Sequence, residues 1–227
     1  MNIGKQVCPI PILHVKSIIL IFILRGSILM SPKKFLKLYL DDSNQCISNM
    51  VSDPTLLSLL FEIASECLNR LQTGNKLLFA GNGGSAADCQ HMASEYVSRF
   101  LIDRNGLPAI ALTTDTSILT AIGNDYGYEM VFSRQIEAVG RKGDLLFVYS
   151  TSGNSQNILK AVETAKRMGI SVVGMTGLNR GKLDTMCDFI FKTPSMRTPQ
   201  IQEGHLIAGH AICALVEKQF FQPTRDK

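Results

Sequence analysis

The sequence contains no tryptophan, and its cysteines include no Cys-x-x-Cys pair of the kind that marks zinc and redox motifs. The six cysteines are Cys8, Cys46, Cys67, Cys89, Cys187 and Cys213. Several of them fall at positions that a folded core would bury. We therefore expect free thiols packed in a cytoplasmic protein rather than a disulfide framework.

Charge is not concentrated in any one segment. The net charge of +4 arises from 23 basic and 19 acidic residues that are spread along the chain. No block of Lys and Arg interleaved with aromatic residues occurs, so we expect no nucleic-acid partner. With 45% apolar and 19% charged residues, the chain is typical of a globular protein, and its 227 residues suffice for one domain with a full core.

A long apolar run is also missing. Residues 17–24 (SIILIFIL) are apolar, but a bilayer-spanning helix needs about 20 such residues, so we expect no membrane partner. A signal peptide is the alternative because Lys5 and Lys16 precede the run, although no clean small-x-small cleavage site follows. We interpret residues 1–30 as a poorly packed N-terminal extension or as sequence translated upstream of a natural start at Met30-Ser31.

From residue 31 onward, helical periodicity is followed by an alternation of strands and helices. Two helices are predicted first, over residues 32–52 and from the Asp53 cap to Gly74. Short apolar strands follow at residues 76–80, 109–112, 144–149, 171–175 and 189–192. Helices are predicted over residues 86–100, 116–122, 128–139, 155–168 and 200–221. This pattern predicts a three-layer α/β sandwich with a central, mostly parallel five-stranded sheet flanked by helices, plus N-terminal helices.

In such sheets, ligands bind beyond the carboxyl ends of the strands. Residues 81–85 (GNGGS) follow the first strand and open a helix, so Asn82, Gly83, Gly84 and Ser85 are candidates for ligand contact. Glycines let the backbone approach a ligand, and the helix N-terminus offers unpaired N–H groups. The segment is not the GxGxxG dinucleotide motif, and a plain strand-to-helix turn is the alternative.

A second candidate loop, residues 150–155 (STSGNS), also lies between a strand and a helix. Ser150, Thr151, Ser152 and Ser155 bring four hydroxyl groups to a helix start, where they form a neutral cradle for a phosphate. No lysine follows as in a Walker A loop, so hydrolysis of nucleoside triphosphates is disfavoured. A serine-rich helix cap is the alternative.

Two helices carry candidate metal ligands. His91 and Glu95 are four residues apart, which places them on one helix face, as a bivalent metal requires; an ordinary surface pair is the alternative. In the last helix, Gln202 and His210 are eight residues apart, about 80° around the helix axis, and can face one target. We expect His205, which points away from His210, to be a buried histidine with a hydrogen-bond partner.

A turn bounded by Gly123 and Gly127 presents Asn124 and Asp125. Turns of this composition often hold ligand hydroxyls, although ordinary turn chemistry is the alternative. Asp115, after the second strand, is a similar candidate.

At this point the sequence resembles a known family. The segments GNGGSAADCQHMASEY, TAIGNDYGYEMVFSRQIEAVGRKGD, STSGNS and IQEGHLIAGH resemble phosphoheptose isomerases of the sugar-isomerase (SIS) domain superfamily. The resemblance covers about residues 31–221 and implies one SIS domain over residues 31–227 with an N-terminal helical segment. One branch of the family has an Asp-Arg pair where Pro199 and Gln200 stand here, so no catalytic aspartate is carried over to this point.

The resemblance implies the conversion of D-sedoheptulose 7-phosphate into D-glycero-D-manno-heptose 7-phosphate, at the start of heptose synthesis for lipopolysaccharide or capsule. It makes Glu95 and His210 the proton-transfer residues. It implies one zinc ion per subunit, bound by His91, Glu95, Gln202 and His210. The substrate would contact Asn82, Gly83, Gly84, Ser85, Glu95, Asn124, Asp125, Ser150, Thr151, Ser152, Ser155 and Gln202.

The resemblance also implies a homotetramer with active sites near the subunit interfaces. The alternative function is a non-catalytic SIS-domain tetramer that binds a protein partner such as the bacterial replication initiator. Proteins of that kind keep the phosphate loops but need not keep the four metal ligands, so the presence of all four favours the enzyme.

Overall fold

Seven α-helices and five β-strands make up the part of the chain that the computed structural model describes, residues 30–222. Residues 30–41 belong to one compact unit, and a second unit begins at Asp42. The prediction about residues 1–29 lies outside the described residues.

The helices and strands alternate as the sequence predicts. The helices are α1 (Pro32–Ser52), α2 (Pro54–Gln72), α3 (Gly84–Val97), α4 (Thr116–Tyr126), α5 (Ser133–Val139), α6 (Gln156–Arg167) and α7 (Thr198–Phe221). The strands are β1 (Leu77–Gly81), β2 (Ala109–Ala111), β3 (Leu145–Tyr149), β4 (Ser171–Thr176) and β5 (Phe189–Lys192). Short 3-10 helices cover Tyr128–Met130 and Lys182–Thr185.

The start of α2 shows how the sequence fixes a helix boundary. The Asp53 carboxylate accepts hydrogen bonds from the N–H groups of Thr55 (2.8 Å) and Leu56 (3.3 Å), which would otherwise lack partners. Pro54, at the first helical position, has no N–H group to satisfy. The predicted cap is therefore confirmed.

All five strands are parallel, in the order β2-β1-β3-β4-β5. The chain moves outward from β1 to β2 and then returns to place β3 on the other side of β1. This reversal creates a crevice beyond the carboxyl ends of β1 and β3, where ligands bind in sheets of this kind. Gly81 pairs with Tyr149, so the two strands end at the same level.

The sheet separates two apolar clusters because successive side chains of a strand point to opposite faces. Leu77 and Phe79 join one cluster, together with residues of α2, α3 and α7 such as Cys67, Tyr96 and Ile212. Leu78 and Ala80 join the other cluster, which residues of α5 and α6 such as Ile136 and Ile158 complete. The three-layer α/β sandwich is therefore confirmed, and the sheet is wholly parallel.

Not every predicted helix boundary is confirmed. The helix predicted to reach residue 100 ends at Val97, and the one predicted over residues 128–139 divides into a 3-10 helix (Tyr128–Met130) and α5 (Ser133–Val139). Helix α4 does not end at Ile122 but continues to Tyr126, because Gly123 takes an ordinary helical backbone and does not break the helix. The break comes at Gly127, whose φ of 90° lies in the left-handed region that favours glycine. Asn124 and Asp125 therefore occupy the last helical turn rather than a glycine-bounded turn.

Cys46, Cys67, Cys89 and Cys213 are buried free thiols, and Cys187 is a half-buried one. Between residues 30 and 222, the helices fall short of the length and apolar character that crossing a membrane requires.

Candidate functional site

The first candidate loop connects β1 to α3 at the predicted crevice. Gly83 is the N-cap residue of α3 and has a φ of 56°, a conformation that side-chain-bearing residues rarely adopt. Gly83 and Gly84 are exposed, whereas Ser85 is buried at the helix start. The loop thus presents open backbone at a helix N-terminus, as a bound polar ligand would need.

The second candidate loop connects β3 to α6 in the same crevice. Ser150 is buried, and its hydroxyl oxygen lies 3.2 Å from that of Ser155. Ser155 is the N-cap residue of α6, but its side chain makes no capping hydrogen bond. The Ser155 hydroxyl therefore does not cap the helix, and it lies next to the Ser150 hydroxyl beside the helix N-terminus.

An amide network joins the two loops. The side chains of Asn82 and Asn157 exchange two hydrogen bonds, of 2.9 Å and 2.8 Å, and Asn157 is buried. The Tyr128 hydroxyl donates a third bond, of 3.1 Å, to the side-chain oxygen of Asn82, Oδ1. These bonds fix the orientation of the Asn82 amide at the mouth of the crevice.

The candidate metal ligands lie on α3 and α7, which pack side by side. His91 Nε2 is 3.1 Å from Glu95 Oε1 and 2.9 Å from His210 Nε2, and one ligand atom from each residue lies within 4.8 Å of the others. The structure therefore brings together three of the four predicted ligands, two from one helix and one from another that follows it by more than a hundred residues.

The donor set and the spacing of these three residues fit a bivalent cation such as zinc. Two ligand atoms bound to tetrahedral zinc at 2.0–2.1 Å lie about 3.3 Å apart, close to the separations seen here. Glu95 Oε1 and His210 Nε2 both approach the same atom, His91 Nε2. A single ring proton there cannot serve both neighbours, whereas a shared cation can. Two imidazoles and one carboxylate also leave a fourth position open.

Gln202 contacts the first loop. A Cβ atom at position 84 would lie 2.5 Å from Gln202 Nε2, so this approach of the amide depends on glycine at that position. Two turns further along the same helix, His210 meets His91. The α3–α7 pair therefore links the loop contact of Gln202 to the cluster of His91, Glu95 and His210, which we call the metal-type cluster.

Asp88 adds a carboxyl group one turn before His91. Burial raises its pKa, and the neighbouring His91 partly opposes that effect. Its Oδ2 atom is buried without a hydrogen-bond partner among residues 30–222. The sequence analysis missed this residue, although its i,i+3 spacing to His91 could have indicated it.

Comparison with known proteins places this geometry in a family. A family model for the SIS domain matches residues 39–177. The phosphoheptose isomerase of Aneurinibacillus thermoaerophilus is 54% identical over 83% of this chain and 95% of its own length. The chain belongs to the phosphoheptose isomerase family of SIS-domain proteins.

Solved structures agree with this membership. A phosphoheptose isomerase from Francisella tularensis has a TM-score of 0.79 and 34% identity, covering 83% of this chain and all of that one. Another, from Neisseria gonorrhoeae, has a TM-score of 0.77 and 39% identity over the same shares. These relatives favour the phosphoheptose isomerase interpretation over the alternative of a non-catalytic, partner-binding SIS protein.

The structure also shows the surroundings of four other residues that the sequence analysis considered. Asn124 and Asp125 are exposed and bond to each other at 2.8 Å. Asp115, a candidate from its position after β2, is the N-cap residue of α4 and accepts a hydrogen bond from Ile118 N–H. Where one branch of the phosphoheptose isomerase family has Asp-Arg, Gln200 is buried, and its Oε1 atom has no partner within residues 30–222.

His205 confirms the expectation of a core histidine. It is fully buried, and its Nε2 atom lies 3.0 Å from the Thr176 carbonyl oxygen. Burial lowers its pKa to about 4, which the hydrogen bond to Thr176 only partly offsets. The ring is therefore neutral at physiological pH, where it donates to the end of β4.

Proposed function

We propose that the protein is a phosphoheptose isomerase that converts D-sedoheptulose 7-phosphate into D-glycero-D-manno-heptose 7-phosphate, for lipopolysaccharide or capsule heptose. The observation that carries this proposal is the convergence of His91, Glu95 and His210 on one point. Gln202, from the same pair of helices, reaches the first loop (residues 81–85), which lies beside the hydroxyl groups of the second loop.

The substrate phosphate would lie in the second loop. There Ser150, Thr151, Ser152 and Ser155 supply hydroxyl donors, and the N-terminus of α6 supplies a favourable dipole. The sugar hydroxyls would be held by Asn82, Gly83, Gly84, Ser85, Asn124, Asp125, Glu95 and Gln202. This assignment is supported by the polar, uncharged side chains of the two loops and by the strands that precede them, β1 and β3, which end at the same level of the sheet.

The reaction moves a proton between two neighbouring carbons of the sugar through an enediol. It requires a base at carbon and an acid at oxygen. Glu95 would take the carbon-bound proton, and His210 would act as the acid–base partner at the substrate oxygen. Both side chains are only partly buried, so a substrate can reach them.

His91, Glu95 and His210 would hold one zinc ion per subunit, and Gln202 would join them as the fourth ligand by leaving the first loop, which it contacts in the structure. When bound, zinc supplies a Lewis acid for the oxygens of the substrate. A carboxylate that is firmly bound to a dication is a weak base because its pKa is lowered. We infer that Glu95 is only partly engaged as a ligand and remains free to accept the proton.

A homotetramer with active sites near the subunit interfaces completes the proposal. Large apolar side chains are exposed on helices α2 and α3 and just after α3, namely Leu57, Phe61, Val97 and Leu101. Glu95 follows Gly84 by eleven residues, roughly 16 Å along the helix axis. We propose that a neighbouring subunit contributes residues between the first loop and Glu95. A cytoplasmic location is supported by the buried free thiols.

The test is turnover of sedoheptulose 7-phosphate by the full-length protein, with and without added zinc. We expect the aldose product to form and chelation to abolish its formation. Absence of product under both conditions would contradict the isomerase proposal and leave the partner-binding alternative. Full turnover by a chelated, metal-free sample would contradict the catalytic role of the metal while leaving the isomerase proposal in place.

A further inference from the structure

A buried ion pair lies behind the metal-type cluster and plays no part in the proposed reaction. Arg104 Nε donates to Glu217 Oε1 at 2.8 Å, and the two side chains are 1% and 3% exposed. Arg104 lies in the loop between α3 and β2, and Glu217 lies on α7. The pair therefore connects the two helices that carry His91, Glu95 and His210.

Glu217 holds the loop that follows α3. Its carboxylate accepts hydrogen bonds from the N–H groups of Phe100 (3.0 Å), Leu101 (2.7 Å) and Ile102 (3.2 Å), in addition to the bond from Arg104. Burial acts to raise the pKa of Glu217, but these hydrogen bonds outweigh it and hold the pKa below its ordinary value. The carboxylate thus stays charged and fully bonded at neutral pH.

Arg104 holds the end of α3 itself. Its Nη2 donates to the carbonyl oxygen of Glu95 at 2.7 Å, and its Nη1 donates to that of Tyr96 at 2.6 Å. The last carbonyl groups of a helix have no partner inside it, and a cation there also suits the helix dipole. The planar guanidinium makes these bonds and the bond to Glu217 at the same time. The backbone of Glu95 is therefore fixed by Arg104.

A second path leads from Glu217 to His210. The Phe100 ring, whose backbone N–H bonds to Glu217, stacks on the His210 ring with centroids 5.4 Å apart and planes inclined by 26°. Glu217 also follows His210 by seven residues, so the two lie on nearly the same face of α7. The ion pair thus supports the Glu95 backbone through Arg104 and the His210 ring through Phe100.

We infer that Arg104 and Glu217 are positioning residues, which hold Glu95 and His210 in register across α3 and α7. The inference rests on the proposed roles of Glu95 and His210. Side chains that bind a metal or move a proton must be placed to within about half an ångström, and outer partners of metal ligands typically contribute 10- to 100-fold in metal affinity or activity. The alternative is that the Arg104–Glu217 ion pair only stabilises the fold.

Asp144 supplies a matched control for that alternative. Like Glu217, Asp144 is a buried carboxylate with a cationic partner: its side chain is 1% exposed and accepts from the Lys76 ammonium group and from the backbone N–H groups of Lys76 and Arg141. It directly precedes β3, at the amino edge of the sheet, and among residues 30–222 its hydrogen-bond partners, Lys76 and Arg141, belong neither to the Arg104–Glu217 pair nor to the cluster of His91, Glu95 and His210. Removing its charge tests the general cost of disturbing a buried carboxylate.

The experiment compares Glu217→Gln, Phe100→Leu and Asp144→Asn with the unaltered full-length protein. Zinc affinity is measured by competition with a chromophoric chelator, kcat and KM with sedoheptulose 7-phosphate, and stability by urea unfolding. For Glu217→Gln we expect a 10- to 100-fold weaker zinc affinity and a similar loss in kcat, with KM within twofold. For Phe100→Leu we expect at least a threefold loss in both zinc affinity and kcat. Asp144→Asn is expected to lose stability alone.

The inference is overturned if Glu217→Gln keeps wild-type zinc affinity and kcat while losing stability as Asp144→Asn does. If Glu217→Gln does not fold, Phe100→Leu decides, and wild-type values for both quantities in that variant overturn the inference. If the unaltered protein does not turn over sedoheptulose 7-phosphate, the proposed function fails. The zinc affinities of the three variants then still decide whether the pair positions the cluster.

Discussion

The two halves of the candidate site differ in the chemistry of their side chains. The loop half, residues 81–85 and 150–155, contains only glycine, asparagine, serine and threonine, which do not titrate near neutral pH. The helix half, on α3 and α7, gathers two histidines and a glutamate within 4.8 Å. A neutral cradle suits the binding of an anion, whereas proton transfer requires titratable groups.

This difference indicates that substrate binding and proton transfer depend on different parts of the site. Changes in the loops should act on KM, because they remove contacts that substrate and transition state share. Changes in the helix pair should act on kcat. Each of the following predictions either sharpens this separation or breaks it.

The largest effect is expected for Glu95→Gln. Because the variant keeps the shape of the side chain but removes the base, kcat should fall about a thousandfold, equivalent to about 4 kcal/mol of transition-state stabilisation. The fold should persist, since the side chain is partly exposed at the surface of α3. Steady-state kinetics and thermal unfolding of the same sample check both expectations.

The matched control is Glu62→Gln on α2, where the glutamate is exposed and far along the chain from the cluster. Its kcat should equal that of the unaltered protein. Near-normal turnover in Glu95→Gln would remove Glu95 as the base, and with it the assignment of chemistry to the helix half.

The next effect concerns His205, the buried histidine of α7. Its pKa is lowered from 6.5 to about 4, so the unfolded chain binds a proton below pH 6.5 that the folded chain excludes. The stability that this neutral ring contributes is present above pH 6.5 and is lost as the pH falls toward 4. Between pH 7 and pH 4.5 the loss amounts to about 2 kcal/mol.

His205→Gln isolates this contribution because the glutamine amide can donate to Thr176 but does not titrate. Urea unfolding at several pH values should give a flatter acid limb for the variant than for the unaltered protein. Parallel curves would show that the acid sensitivity lies elsewhere, for example in Glu217, whose lowered pKa acts in the same direction. The acid sensitivity of the fold would then not belong to His205.

The sequence predicted the strands to within one or two residues, because buried parallel strands appear as short, continuous apolar runs. It placed β1 at residues 76–80, against Leu77–Gly81 in the structure. It misplaced the end of α4 because a glycine inside a helix and a glycine that ends one look alike in the sequence. Only the backbone conformation of Gly127 separates the two cases.

The candidate site could be predicted from the sequence where its residues lie close together along the chain. The i,i+4 pair His91 and Glu95 and both loops could be found within single segments. The Arg104–Glu217 and Asn82–Asn157 pairs could not, because their partners are 113 and 75 residues apart in sequence. A buried charge or amide is identified by its partner, and the partner is known only once the chain has folded.

A smaller effect is expected in the loop half for Ser155→Ala. A hydroxyl that donates to a charged phosphate contributes about 1.5 kcal/mol, so KM should rise about tenfold with kcat within twofold. The control is Ser58→Ala, since within residues 30–222 that hydroxyl bonds only to the carbonyl oxygen of Pro54, on the exposed face of α2. A loss in kcat at unchanged KM would break the separation of binding from chemistry.

The smallest effect is expected for Asn157→Ala, which acts on the loop half indirectly, through the side chain of Asn82. The change removes both hydrogen bonds that orient the Asn82 amide and leaves only the one from Tyr128. A loosened contact of this kind costs about 1 kcal/mol, so KM should rise about fivefold while kcat stays within twofold. Tyr128→Phe, which removes a single bond made by an exposed residue, should change KM less than twofold. Equal effects of the two variants would mean that the buried amide pair does not set the orientation of Asn82, and that the loop half depends on its backbone alone.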